Sequence, residues 1–298
     1  MATLKETKDR ISSVKTTLKT TSAMKMVASA RLHKGQTMIE NMRPYEKRLA
    51  NMLASALQCV PDSEELNALC RRRVVDEDSF DAAAPEKVAI IAISSNSSLC
   101  GAFNSNVIKE VGARVNELKA EGAEVTVFPV GRKMAEAMKK IGCTTPEDLN
   151  SLIAHPEYEP VADFAQRLTD AFLEGLYDRI EIIHNHFVST ATQKVVTDTF
   201  LPMERPQDDT ASVYSDDYIM EPTATELISS LLPRVLRLKV YTAVLDSNAA
   251  EHAARTVAMQ TATDNGEALL QELTLEYNKG RQQKITSEIL DIVGGSMS

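Results

Sequence analysis

The residues that invite a chemical reading sit behind the apolar run "VAIIAI" at 88–93, where the chain continues "SSNSSLCGAFNSN" from Ser94 to Asn106. A strand, a Ser/Gly-rich turn and a helix in succession is a common phosphate-holding arrangement, because backbone N–H groups at a helix start converge on an anion. Such a loop needs several glycines, and the ATP-binding kind also carries a Lys-Ser/Thr pair. Gly101 is the only glycine near this turn, and the first lysine after it is Lys109. Neither GxGxxG nor GxxxxGK[ST] is matched, so the stretch reads as a strand-to-helix turn with Ser/Asn caps. Cys100 reads there as a small packed residue, although a catalytic partner from elsewhere in the fold stays open.

Other catalytic groupings are thinner still. His184 and His186 in "IIHNHF" share one face of a strand. Two imidazoles could ligate a metal, but no third ligand falls in register, so a polar sheet face is the plainer reading. Cys59, Cys70, Cys100 and Cys143 show neither CxxC spacing nor paired histidines. That pattern points to reduced thiols rather than a zinc centre or a disulfide scaffold. "RRR" at 71–73 could touch phosphate, yet acidic neighbours make it a surface loop. No metal site and no cofactor are expected.

The elements around these residues say more. In steps of seven from Leu4, one column reads Leu4, Ile11, Leu18, Lys25, Leu32, Ile39, Glu46, Leu53. The next reads Thr7, Val14, Thr21, Ala28, Gly35, Met42, Leu49, Ala56. This periodicity predicts a helix over 1–59, with a local bend at Arg43 before Pro44. Such a length must be supported by a partner helix. The partner is predicted at the other end, over 223–298. Its seam runs Leu238, Leu245, Ala249, His252, Thr256, Met259, Thr263, Gly266, Leu270, Leu273, Tyr277, Gly280. Glycines cost an isolated helix about 1 kcal/mol each, so close packing is expected to offset Gly266 and Gly280.

Between the ends the period changes. Strands are predicted at 87–93, 124–130, 179–188 and 194–200, and helices at 104–122, 132–142 and 160–178, with Gly122 and Gly142 as stops. The order implies an open, mostly parallel sheet of 87–201 with helices on both faces, closed by an antiparallel hairpin through "STATQ". Segments 60–86 and 202–222 read as charged, solvated connections. The fold class is therefore α/β: an antiparallel coiled coil of the two chain ends with an open α/β domain inserted.

Charge is segregated. Residues 1–57 hold eleven Lys/Arg against four Asp/Glu, and residues 204–226 hold seven acids against Arg205. A basic arm on an acidic chain suits an acidic partner. Nucleic acid is disfavoured, since the cations are spread around the helix and stacking aromatics are scarce. No apolar run is long enough to span a bilayer, and the N-terminus lacks a secretory apolar core.

At the two ends, "RISSVKTTLKTTSAMKMVASARLHK" and "RTVAMQTATDNGEALLQELTLEYNKGRQQKITSEILDIVGGS" closely resemble the γ subunit of F-type ATP synthase. "SLCGAFNSN" (Leu99, Cys100 and Gly101 at its centre) is similar to that family's first strand-to-helix turn. The resemblance implies a central shaft, not itself catalytic, inside a ring of three α and three β subunits. It implies a Rossmann-like foot on the membrane c-ring that carries the ε subunit, and a peripheral place on the cytoplasmic face of the bacterial inner membrane. By the same resemblance Met24, Lys25, Met26, Arg255, Gln260, Arg281, Gln282 and Thr286 touch the ring, with Lys25 toward acidic β loops. Ile285, Ile289, Ile292 and Val293 form an apolar bearing tip. Three departures stand out. Asn96-Ser97-Ser98 replaces the family's Asp-Arg-Gly, Gly295-Ser296 replaces its Gly-Ala, and no cysteine between 200 and 240 matches the redox pair of the chloroplast form. The competing readings are a nonenzymatic coiled-coil adaptor with a Rossmann-like domain and a small nucleotide-binding enzyme.

Overall fold

The computed structural model describes residues 3–60, 64–70, 85–143, 146–203, 221 and 223–296. These form two compact units, one from residues up to 30 with those from 255 onward, the other from Arg31 to Ala254. Helix α1 spans Leu4–Cys59 and helix α7 spans Ala224–Ser296.

In the first unit the two helical stretches pack antiparallel. A Cβ placed on Gly280 would lie 3.2 Å from Leu4 Cδ2, and one on Gly266 would lie 2.7 Å from Leu18 Cδ2. Thr263 Oγ1 stands 3.0 Å from Thr21 Oγ1. As the numbering rises on one helix it falls equally on the other, which is the mark of an antiparallel register. The glycines thus sit where the facing leucines need the space, as the seam predicts.

The second unit is a four-stranded sheet in the order β2-β1-β3-β4, made of β1 Lys87–Ile93, β2 Glu124–Val130, β3 Arg179–Phe187 and β4 Gln193–Leu201. β1 runs parallel to β2 and β3, with Ile91 opposite Phe128 and Ile182, while β4 returns antiparallel to β3 with His184 opposite Val196. Central β1 is buried along Val88–Ile93, which explains a continuous apolar run in place of alternation. Its Val88, Ile90 and Ala92 pack on α3 (Phe103–Ala120) through Val107, Val111, Val115 and Leu118, and on α4 (Arg132–Ile141) through Met134 and Met138. Its Ala89, Ile91 and Ile93 face the opposite layer. There Leu49, Leu53 and Ala56 of α1, Phe164 and Leu168 of α6 (Tyr158–Leu173) and Leu232, Leu236 and Val240 of α7 complete the larger core.

Several predicted boundaries shift. The helix expected over 160–178 stops at Leu173, because Gly175 takes φ 76° and Asp178 turns back to accept the Lys87 amide at 2.8 Å. Gly142 does cap α4 in the left-handed conformation. The 60–86 segment is not wholly a solvated connection. Helix α2, Glu64–Cys70, buries Leu66 and Leu69 in the larger core, because two apolar residues three apart fit one face of a single short turn. Helix α5, Asn150–Ala154, also buries Leu152 and Ile153 in this core. "RRR" and residues 204–220, the bulk of the second connection, lie outside the described residues. Both long helices continue through a proline, Pro44 in α1 and Pro233 in α7. Each proline removes one backbone donor, and flanking core residues such as Leu49, Leu231 and Leu236 hold the helices in place.

Candidate functional site

The turn after β1 does not build a phosphate cradle. Its polar side chains bond to one another and to a neighbouring helix. Asn104 Oδ1 accepts the Ser95 amide at 3.1 Å, and Asn104 Nδ2 donates to Ser95 Oγ at 2.8 Å. No side chain caps α3. The predicted Ser/Asn caps serve α4 instead: Ser94 Oγ accepts the Met134 amide at 2.9 Å and Asn96 Oδ1 accepts the Arg132 amide at 2.9 Å. Parallel neighbours place the end of β1 beside the end of β2, so the donors nearest Ser94 belong to the next helix start. Gly131 makes the approach possible, since at φ 109° a Cβ there would meet Ser94 Oγ at 2.8 Å.

Cys100 is buried with Phe103, Ala250 and Ala254, and Phe187 packs beside them. Helix α7 therefore fills the space beyond the end of β1, where open α/β sheets usually take a ligand. Leu99 is 57% exposed at φ 67°, and Gly101 beside it is also exposed at φ 58°. The centre of the turn thus splits into a buried thiol and an exposed apolar tip.

The histidine pair has a partner that sequence reading missed. Asp246 of α7 accepts a hydrogen bond from His186 Nδ1 at Oδ2 and another from the Phe187 amide at Oδ1, 3.0 Å away, while His184 Nε2 stands 3.6 Å from Oδ2. Burial alone would raise the Asp246 carboxyl, but the bonds from His184, His186 and the Phe187 amide outweigh it and hold it below the usual range. A cleft of about 290 Å³ opens beside the group, lined by Arg43 and Glu46 of α1, Asp198 of β4 and Lys239 of α7. Burial pushes the Glu46 carboxyl up, with Arg43 opposing. The signal was an acid inside the small, apolar run "YTAVLDSNAA". Among the described residues no group of three His, Cys, Asp or Glu is arranged to hold a metal ion.

A second buried charge stiffens the other layer. Glu181, 3% exposed, accepts from Arg114 Nε at 2.9 Å and Nη2 at 2.7 Å. That bidentate bond raises the Arg114 pKa beyond its ordinary value, more than burial lowers it.

The residues expected to meet partners differ in how much surface they offer. Met24 and Lys25 are half-buried and Met26 is 64% exposed. Arg255 is buried, which leaves its guanidinium little open surface. Gln260, half-buried, donates to Asp264 Oδ1 at 2.6 Å. Arg281, Gln282 and Thr286 are exposed, and Thr286 Oγ1 donates back to the Gln282 carbonyl at 2.9 Å. Ile285, Ile289, Ile292 and Val293 are all exposed, with Leu290 beside them. An uncovered apolar helix end of this kind marks a surface that meets something else.

The chain is thus an α/β sheet domain inserted between two long terminal helices, with Ala250 and Ala254 of α7 packed beyond the end of β1. The family model described as ATP synthase matches residues 3–298. The ATP synthase gamma chain of Phocaeicola vulgatus is 48% identical over the whole of both chains. That of Flavobacterium johnsoniae is 43% identical over 99% of this chain and 98% of its own. The chain belongs to the ATP synthase gamma chain family. Among solved structures, it is similar to a chain of the Euglena gracilis mitochondrial ATP synthase (OSCP/F1/c-ring, rotational state 3), with TM-score 0.61, 20% identity and coverage of 99% and 93%. It is also similar to one in the Tetrahymena thermophila central stalk and c-ring structure, with TM-score 0.54, 21% identity and coverage of 81% and 98%. Among the described residues no helix is long and apolar enough to cross a membrane.

Proposed function

We propose that this chain is the central rotor shaft of a bacterial F1Fo ATP synthase, coupling proton flow to ATP synthesis and hydrolysis on β subunits. The full-length likeness to gamma chains carries the reading. The paired helices of the first unit serve as the part that turns among α and β subunits. The sheet domain serves as the foot, joined to ε and to the c-ring. ATP chemistry belongs to other subunits, and the filled crevice beyond β1 supports a non-catalytic chain. It would sit peripherally on the cytoplasmic face of the inner membrane. Met24, Lys25, Met26, Gln260, Arg281, Gln282 and Thr286 are the proposed ring contacts, with Arg255 acting from within the helix pair. The exposed Ile285, Ile289, Ile292 and Val293 suit a bearing, because apolar contact is non-directional and adds few barriers to turning.

Reconstitution with α and β subunits tests the reading. The expected complex holds one copy of this chain per three αβ pairs; equal stoichiometry, or ATP turnover by the isolated chain, would overturn it.

A further inference from the structure

Within the sheet domain, most of what holds α7 down is apolar and much of it is small: Val240, Ala243, Val244, Leu245, Ala249 and Ala250 are all buried. Contacts of this kind are set by area removed from water and specify little about rotation of a helix about its own axis. Directional bonds to a buried charge do specify it, since a turn of one residue, about 100°, removes them altogether. Asp246, half-buried, makes bonds of that kind. Its Oδ1 takes the Phe187 amide at 3.0 Å, and its Oδ2 takes His186 Nδ1 with His184 Nε2 at 3.6 Å. One carboxylate therefore holds three of the last four residues of β3, through two side chains and one backbone donor. Two other polar links from α7 end on single neutral oxygens, Lys239 Nζ to the Thr199 carbonyl at 2.7 Å and Asn248 Nδ2 to the Ile153 carbonyl at 3.2 Å; Glu251 and His252, buried further along the helix, have partners of their own.

We infer that Asp246 is a positioning residue for rotary coupling, locking the angular setting of α7 on the sheet domain through His184, His186 and the Phe187 amide so that torque passes between them without slip. The inference rests on the rotor reading. If the sheet domain is turned from one side and α7 is loaded by other subunits, the load falls across this joint. Apolar packing alone would yield to it in small steps; the gripped carboxylate resists until its bonds break together. The flanking Arg43, Glu46, Asp198 and Lys239 keep the cleft polar, so water there competes with the grip once it loosens.

The test uses the assembled complex in inverted membrane vesicles, reading ATP hydrolysis and ATP-driven proton pumping side by side. Asp246→Ala and His186→Ala are expected to lower protons pumped per ATP hydrolysed several-fold while hydrolysis persists. His186→Asn, whose side-chain amide nitrogen can stand where Nδ1 stood, is expected to restore the ratio. An unchanged ratio in both alanine variants, or a proportional fall in both activities that asparagine does not reverse, overturns the inference. The isolated chain supplies a reading independent of the rotor: exchange of the Phe187 amide should quicken about tenfold in Asp246→Ala, and an unchanged rate also overturns the grip. Failure of the unaltered chain to assemble with α and β subunits sinks the rotor reading instead, while the exchange result still stands or falls on its own.

Discussion

The hydroxyls of Thr21 and Thr263 stand 3.0 Å apart across the helix pair, each also within reach of a carbonyl on its own helix, Leu18 at 3.1 Å and Met259 at 2.8 Å. Two threonines can approach so closely only where both backbones are near. The glycine on the next turn of α7 shows how near they are. A Cβ on Gly266 would stand 2.7 Å from Leu18 Cδ2, whereas one on Gly280 would stand 3.2 Å from Leu4 Cδ2.

The two glycines should therefore respond differently to substitution. An alanine in place of glycine gains about 1 kcal/mol of helix propensity at either position, a β-branched valine only about a few tenths. At Gly266 the overlap with Leu18 outweighs that gain, and Gly266→Val is expected to destabilise the chain by about 1–3 kcal/mol. Gly280→Ala asks Leu4 to give only a few tenths of an ångström and should come out neutral or slightly stabilising. Thermal denaturation of the two variants beside the parent chain checks the contrast. Equal losses would mean that Leu18 yields as easily as Leu4.

Gly131 combines a left-handed backbone, φ 109°, with a Ser94 Oγ that an added Cβ would meet at 2.8 Å. Both the conformation and the space exclude a side chain. Gly131→Ala should cost about 2–4 kcal/mol and detach the α4 start from Ser94 and Asn96. Exchange of the Met134 and Arg132 amides, which those side chains accept, should accelerate with the loss of stability.

How much of this was legible beforehand depends on the range of the interaction. Every position of the two seven-residue columns in α1, from Leu4 and Thr7 to Leu53 and Ala56, is buried or half-buried. A helix seam repeats locally, and its period is written in the chain. The mostly parallel sheet and the hairpin from β3 to β4 were equally readable from strand spacing, whereas the order β2-β1-β3-β4 came only from the fold. Asp246 was not, because its partners His184 and His186 lie about sixty residues away and only the crossing of α7 over β3 joins them. The capping of α4 by Ser94 and Asn96 escaped for the same reason: sequence adjacency pointed to α3, and sheet adjacency decided otherwise. Helix α2 is too short to show a period, and its charged flank disguised Leu66 and Leu69.

Two carboxyls in the cleft should give opposite slopes of stability with pH. Asp246 has a folded pKa below its usual value. Its contribution is complete above about pH 4 and is lost as pH falls through the folded value. Glu46 has a folded pKa raised by burial, so it is favoured while protonated and weakens the fold as pH rises through that raised value. Melting temperatures followed from pH 3 to 8 should therefore show a flatter acid limb in Asp246→Asn, with lower stability at neutral pH. Glu46→Gln should instead gain relative to the parent at the upper end of that range. The same slope in both variants would deny the opposed environments.

Glu181 tests whether the sheet domain depends on its buried charge. The carboxylate is 3% exposed and takes two bonds from Arg114, with Arg179 Nε 3.6 Å from the same Oε1. Glu181→Ala leaves the half-buried Arg114 guanidinium with only the exposed Glu117, 2.6 Å from its Nη1, and breaking a buried pair on one side costs up to about 3–5 kcal/mol. Replacing both partners, with Arg114→Met and Glu181→Leu together, removes the stranded charge along with the bond. The double variant should recover most of the loss, because the same volume is then filled by apolar atoms. Chemical denaturation of Arg114→Met, Glu181→Leu and the double variant reads the coupling directly. If their losses simply add, the pair contributes no more than two unrelated surface residues would, and the stiffness of this layer must come from the Val107, Val111 and Val115 stripe instead.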